Sequence, residues 1–398
     1  MTIRSWHIVL VPILALWLGV IPASATTATS DFQFIYLYRD DDSTYQKHRA
    51  YTGLVLRNRQ RPLHGAKTAV RESRVKGRRL GLRFTLKEQA LNPDESAVDA
   101  IRTLLIDTGA TVFIADLPLT EVLEIGQSLK DQPIIVLNPR HADDILRGSA
   151  CSPTLFHTMP SHTMLMDALA QFLSSKNWKK VLILEGDAPN DQILADAFAK
   201  AAAKFRLKQV DRRSFVLSND PRIREKNNVA LITSGARSDV IFLADSVGEF
   251  GRYVPYQTQQ PVLIVGSEGL RAGAWHWTWE RYGAPQLNQR FNRIANRRMT
   301  DSDYAGWAAV KTIVEAITRT NSIEPSDIKR FLVSDDMTFD AYKGAPGNFR
   351  PWDHQLRQPL LLHLHNAVVA RAPLPGFLHR LNNLDTLGID SAESNCQM

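Results

Sequence analysis

The chain has 398 residues, 44% of them hydrophobic and 22% charged, with a formal net charge of +7 and two cysteines. That length exceeds one ordinary domain and leaves room for two, each with a large core. The composition excludes low-complexity, collagen-like and disulfide-dense classes, and there is no repeat at a solenoid period. The first segment reads as an export signal: Arg4, an apolar run over 8–20, then Ala23-Ser24-Ala25, with cleavage expected after Ala25. The run is short for a membrane span. No cysteine follows the cut, so no lipid anchor is expected, and the mature protein is expected free in the periplasm.

After the signal, apolar runs alternate with amphipathic stretches. Residues 34–38 read as a buried strand ending in the polar turn Arg39-Asp40-Asp41-Asp42, followed by a helix over 65–74. Many basic residues lie between Arg57 and Arg83. In an exported chain without interleaved aromatics, they read as a solvated helix face or a docking patch for a membrane partner, not as a nucleic-acid site. Strands are predicted at 81–90, 111–115 and 133–137. Helices are predicted around Val98, Ile101 and Leu105, and over 121–129. The rhythm restarts after Cys151, with strands at 155–159, 180–184, 239–244 and 261–265. Helices follow over 164–172, 194–205 and 228–234. A further helix at 304–317 precedes β-like segments at 360–365 and 367–370. Strand and helix in alternation predict α/β architecture, two doubly wound parallel-sheet units with a cleft between them.

The motifs of several enzyme classes are missing. There is no G-x-G-x-x-G, no G-x-x-x-x-G-K, no H-E-x-x-H and no G-x-S-x-G. His363 and His365 share a strand face but have no third ligand nearby, so ordinary half-buried histidines are expected. The Asp40–Asp42 run reads as a turn and cap cluster. Trp275, Trp277 and Trp279 read either as core or as the apolar wall of a ligand site. No metal or cofactor is expected. Cys151 and Cys396 are expected to form a disulfide in an oxidising compartment, tying the C-terminus to mid-chain.

Four segments carry a wider resemblance: VLILEGD from Val181, VGSEGL from Val265, DYAGWAAVKT from Asp303 and YKGAPGNFRPWD from Tyr342. In this order they resemble the type I periplasmic binding proteins typified by leucine/isoleucine/valine-binding proteins. A narrower set comprises YLYRDD from Tyr36, RAYTGL from Arg49, AVRESR from Ala69, GEFGRYVPY from Gly248, WHWTWERYGAPQLN from Trp275 and LDTLGID from Leu384. These resemble the ABC-transporter substrate-binding proteins associated with pyrroloquinoline quinone (PQQ)-dependent alcohol catabolism.

The resemblance implies two lobes joined by a multi-strand hinge, a small-molecule ligand, a membrane permease as partner and no enzymatic activity. Lobe one is expected at 31–150 with 271–330 and lobe two at 151–270 with 331–370, leaving 371–398 as a tail tied back by the disulfide. Amino-acid binders of this fold hold the ligand carboxylate with hydroxyl and N–H groups near positions that here read Asp116-Leu117-Pro118 and Asn138-Pro139-Arg140. Neither has a Ser/Thr cluster, and Asp116 would repel a carboxylate. An aromatic of the family is replaced by Ala188-Pro189-Asn190, so a standard aliphatic amino acid is not the expected ligand. The candidate cleft residues are Arg39, Asp116, Asn138, Arg140, Ser161, Asp187, Asp245, Glu249 and Tyr253. Arg39 and Arg140 are the candidates for holding an anionic group. The competing readings are a sensory or docking module of the same fold and a periplasmic hydrolase or oxidoreductase.

Overall fold

The computed structural model describes residue 2 and residues 30–398 apart from 51, 52, 218 and 219. The expected export signal, apart from residue 2, therefore lies outside the described residues. In the first lobe, β1 (Ser30–Arg39) is central, and Phe34 through Leu37 are buried on both of its faces. This is the pattern of a parallel strand covered by helices on each side. After α1 (Leu63–Arg79) the chain forms β2 (Leu82–Leu91), in register with β1 from Ser30↔Leu82 to Arg39↔Leu91. Helix α2 (Ala97–Thr108) starts where Ser96 Oγ accepts the Asp99 N–H, and it ends at Gly109, whose φ of 66° suits glycine. Strand β3 (Val112–Asp116), α3 (Leu119–Ser128), β4 (Ile135–Asn138) and β5 (Leu155–His157) complete a parallel sheet of order β2-β1-β3-β4-β5.

The second lobe begins with α4 (His162–Ser175), followed by β6 (Lys180–Glu185), α5 (Pro189–Lys204), β7 (Lys208–Ser214), β8 (Val240–Ala244) and β9 (Leu263–Gly266). Its parallel sheet has the order β9-β8-β6-β7. The chain then forms β10 (Arg271–Gly273) and returns to the first lobe for α6 (Ala284–Ala295), α7 (Asp301–Thr320) and α8 (Pro325–Leu332). Helix α7 opens with a capping box between Thr300 and Asp303 and packs along α1. The two helices approach closely: a Cβ on Gly65 or Gly306 would collide with the backbone of Asp303 or Pro62. Strand β11 (Leu360–His363) pairs with β10 on one side and with β12 (Val368–Ala372) on the other, in an antiparallel sheet of order β10-β11-β12.

Two expected boundaries differ. The strand at Leu155–His157 was expected to open the second unit, yet it is the edge of the first sheet. The Asn138 carbonyl accepts the Thr158 N–H, and the His354 carbonyl accepts the His157 N–H, so both flanks hold it there. Residues 331–370 were expected in the second lobe, but Leu332, Met337, Phe339, Phe349 and Leu356 belong to the first core. Aromatic contacts explain this: Phe349 packs edge-on against Phe156 at 5.3 Å, and Phe339 lies 6.2 Å from Trp307.

The chain therefore passes between the cores at 158–161, near 273–274 and at 357–359. One buried pair of side chains ties all three. Lys343 Nζ donates to the Ala274 carbonyl at 2.8 Å and to Gln358 Oε1 at 2.6 Å, and Gln358 Nε2 donates to the Thr158 carbonyl at 2.9 Å. Burial holds the Lys343 ammonium well below the usual lysine range.

The C-terminal segment makes a fourth connection. Asp167 Oδ2 accepts the Gly388 N–H at 2.8 Å, and Leu387 is buried in the second core. Asp385 is buried against two first-lobe guanidiniums, Arg350 at 3.0 Å and Arg357 at 2.8 Å. The Cys151–Cys396 disulfide is formed as expected, spanning 245 residues of sequence.

Candidate functional site

The connection between the lobes orients both sheets. The chain leaves the first lobe at the C-terminal end of β5 and enters the second at the N-terminus of α4, the helix that leads back down to β6. In such a helix–strand unit the helix starts on the side where the strands end. Both sheets thus turn their C-terminal edges toward the crossings, the place where ligands bind in open α/β sheets.

On the first-lobe edge, Asp116 ends β3 and is fully buried. It accepts hydrogen bonds from Tyr36 OH at 2.7 Å, Arg61 Nη1 at 2.8 Å and Tyr45 OH, with Arg140 Nη1 at 3.4 Å. Arg140 in turn binds Asp42 at 2.6 Å and Thr44 Oγ1 at 2.9 Å. The Arg61 guanidinium lies over the Tyr45 ring, 4.1 Å from its centroid, and over Tyr38 at 5.1 Å. Burial and the neighbouring Asp116 charge hold the Tyr36 and Tyr45 hydroxyls protonated far above the usual phenol range. For Asp42, burial pushes the carboxyl up, but Arg140 and the Thr44 N–H pull harder, and it stays below the usual carboxylate range. Two arginines and two aspartates thus form a charge-balanced cluster at the rim of the sheet.

The remaining first-lobe candidates shape the rim. Arg39, at the end of β1, donates to Glu121 Oε1 at 2.7 Å, to the Glu95 carbonyl at 2.7 Å and to the Asn92 carbonyl, so it staples the end of β1 to the β2–α2 loop and to the first turn of α3. Asn138 Oδ1 accepts the N–H groups of Arg140 and His141 at 3.1 and 2.8 Å, fixing the turn that aims Arg140. Ser161 caps α4 by accepting the Met164 N–H at 3.2 Å.

On the second-lobe edge, Asp187 follows β6 and is exposed. Asp245 follows β8, is buried, and accepts the Gly248 and Gly251 N–H groups at 2.6 Å each, closing the loop that carries Glu249. Tyr253 stands 45% exposed, its hydroxyl accepting from Arg252 at 2.7 Å. Arg39, Asp116, Asn138 and Arg140 therefore share one rim, and Asp187, Asp245, Glu249 and Tyr253 lie at the end of the other sheet. Ser161 sits at the crossing between them.

Of the tryptophan row, Trp275 is core, Trp279 packs half-buried against it, and Trp277 is half-buried beneath the Arg298 guanidinium, 3.4 Å from its ring centroid. Trp275 is buried and stacked on Tyr304 at 4.9 Å, and Trp279 Nε1 donates to the Tyr342 carbonyl at 3.0 Å. His363 stacks on His276 at 4.3 Å. Among the described residues, no group of three or more His, Cys, Asp or Glu side chains is arranged to hold a metal ion. Asp42 caps a short 3₁₀ turn through the Thr44 N–H, as the turn reading expects. The sequence reading omitted Tyr36, Tyr45 and Arg61. Alternation along β1 was a usable signal for Tyr36, but Tyr45 and Arg61 arrive from an irregular segment with no periodicity to mark them.

The family described as periplasmic binding protein matches residues 60–363. No curated protein matches the sequence. Among solved structures, an amino acid ABC transporter substrate-binding protein from Pseudomonas fluorescens Pf-5 is 14% identical, with a TM-score of 0.69. The alignment covers 93% of this chain and 100% of that one. A branched chain amino acid ABC transporter periplasmic ligand-binding protein from Burkholderia xenovorans LB400 is 14% identical, with a TM-score of 0.67 and 85% and 95% of the chains covered. A solute-binding protein from R. palustris in complex with benzoate is also 14% identical, with a TM-score of 0.60 and 92% and 99% covered. At these identities the likeness shows the fold: two α/β lobes on a multi-strand hinge. No helix among the described residues is long and apolar enough to cross a membrane. With the family match running through most of both lobes, the chain belongs to the periplasmic binding protein family.

Proposed function

We propose that this chain is the solute-binding component of an ABC transporter, holding a small molecule between its lobes and delivering it to a membrane permease. The carrying observation is the pair of polar sheet edges turned toward one three-stranded hinge, with Asp116, Arg61 and Arg140 on one edge and Asp187 on the other. Closure of two such edges buries a ligand of modest size. The transport role draws on the solved relatives, which are named as substrate-binding or ligand-binding proteins of ABC transporters.

The ligand we propose belongs to PQQ-dependent alcohol oxidation in the periplasm, as substrate or oxidation product. The support for it is the set of segments such as YLYRDD and WHWTWERYGAPQLN. The rim chemistry argues against an aliphatic amino acid, because neither Asp116-Leu117-Pro118 nor Asn138-Pro139-Arg140 carries the Ser/Thr hydroxyls with which amino-acid binders of this fold hold the ligand. A thermal-shift screen of the mature protein tests this, with alcohols, aldehydes, carboxylic acids, branched amino acids, PQQ and metal ions. A saturable rise in Tm with an alcohol, an aldehyde or its acid is expected, since ligand in large excess over Kd stabilises by about 3 kcal/mol. A response to leucine alone would overturn the alcohol-linked reading. Silence across the panel would overturn solute binding itself.

A further inference from the structure

Most of the basic stretch between Arg57 and Arg83 lies on α1 and β2. Strand β2 is the outer strand of the first sheet, and among the described residues nothing pairs with its free side. The orientation of its backbone follows from one bond. The Ser30 N–H donates to the Gly81 carbonyl, so in this parallel ladder odd-numbered residues turn their peptide groups toward β1. The N–H and C=O groups of Leu82, Phe84, Leu86 and Glu88 consequently point outward, along a register without a bulge.

A groove runs beside this edge under α1. One part, of about 710 Å³, lies between Arg74, Arg78 and the strand from Leu82 to Thr85. It continues into a second part of about 380 Å³, with Val70, Phe84, Leu86 and Ile294 as an apolar floor and Arg71 and Arg74 on the rim. Arg71, Arg74 and Arg78 are spaced three and four apart, on one exposed face of the helix. The carboxylates near them are taken: Glu72 by Arg290 and Trp307, Glu88 by Lys67, Glu315 by Lys76 and Asp31 by Arg83. Among the described residues these three arginines have no carboxylate partner.

We propose that the α1–β2 groove is a docking site for an extended, acidic segment of a partner polypeptide, added to the sheet as a sixth strand. The open edge supplies main-chain hydrogen bonds, the apolar floor receives alternate side chains, and the arginine row receives carboxylates on the helix-facing side. The same charges exclude the simplest rival, a second copy of this chain. Pairing β2 with its own symmetry mate brings two arginine rows together, the like-charge device by which natural sheet edges resist self-association.

The test uses the mature chain and a fluorescein-labelled octapeptide of alternating glutamate and valine, followed by fluorescence anisotropy. Saturable binding is expected. It weakens about tenfold in R74E/R78E, whose fold is checked by circular dichroism and Tm. It is abolished when alternate peptide nitrogens are methylated, because a methylated nitrogen cannot add to a strand edge. Equal binding of the lysine–valine peptide would overturn the proposal, as would indifference to R74E/R78E or to methylation. Tighter, arginine-dependent binding of phosphatidylglycerol vesicles or of single-stranded RNA would overturn it in favour of that other partner.

Discussion

Asp116 shows how much a single residue organises at the rim. Its two oxygens receive tyrosine hydroxyls from β1 and the following loop, and guanidiniums from Arg61 and Arg140. Asp116→Asn keeps the shape but leaves two mostly buried arginines with one fewer counter-charge. Loss of about 3 kcal/mol is expected in urea unfolding, the cost of breaking a buried pair from one side. Any ligand held by this rim should also bind at least about tenfold more weakly, which calorimetry can read. Retention of full stability would show that the cluster is not electrostatically coupled. The sequence marked Asp116, Asn138 and Arg140 because strand ends are where open sheets place their sites. It did not show that Arg39 is spent on Glu121 and two or more carbonyls, nor that Asp245 closes its own loop. Those roles depend on hydrogen bonds between residues far apart in the chain, which no local pattern encodes.

At the scale of elements, the legible parts were those with a strong period. Strand β1 and helices α4 and α7 bury the residues their apolar spacing selects. The boundary after Cys151 was misread because β5 is a short apolar strand like any other, and only its pairing with β4 assigns it to a sheet. Strand β7 was missed for a related reason: as an edge strand rich in charge, KQVDRRS, it carries no hydrophobic alternation. The C-terminal segment was legible only in its cysteine. Its main polar anchor, Asp385 between Arg350 and Arg357, supports a prediction of its own. Asp385→Ala should cost about 3–5 kcal/mol, because it strands two buried guanidiniums. The double variant C151S/C396S removes a link whose chain-entropy worth is about 5 kcal/mol at most. Chemical denaturation of the two variants separates the contributions. A D385A chain as stable as the parent would mean that the disulfide alone holds the segment.

Across the whole molecule, acidity is the condition to which the fold is most exposed. Burial lowers His354, His363 and His276 to about 4 each, and the stacked His363 ring also opposes the charging of His276. Their folded values lie below the unfolded value, so the stability they contribute is complete above pH 6.5 and is lost as pH falls toward 4. For His354 alone the shift corresponds to about 3 kcal/mol. Asp167 works in the opposite sense. Burial outweighs Lys204 and raises it to about 6, so its contribution declines as pH rises from 3.8 toward 6. Burial also lowers His64, His157 and His162 and raises Asp191, Asp301 and Asp353, so six histidines stand against four carboxyls. The balance predicts a falling Tm between pH 6.5 and 4, with a shallower slope in His354→Gln; a flat profile would refute it. The path of the backbone has a different consequence. A chain that begins in one lobe and crosses three times would end in the other, but the C-terminal segment makes a fourth passage and is bonded back to Cys151. All three hinge strands lie within the ring so closed. A protease that cuts any one of them once only opens the ring, and the halves should run as a single band until thiol is added and as two afterwards.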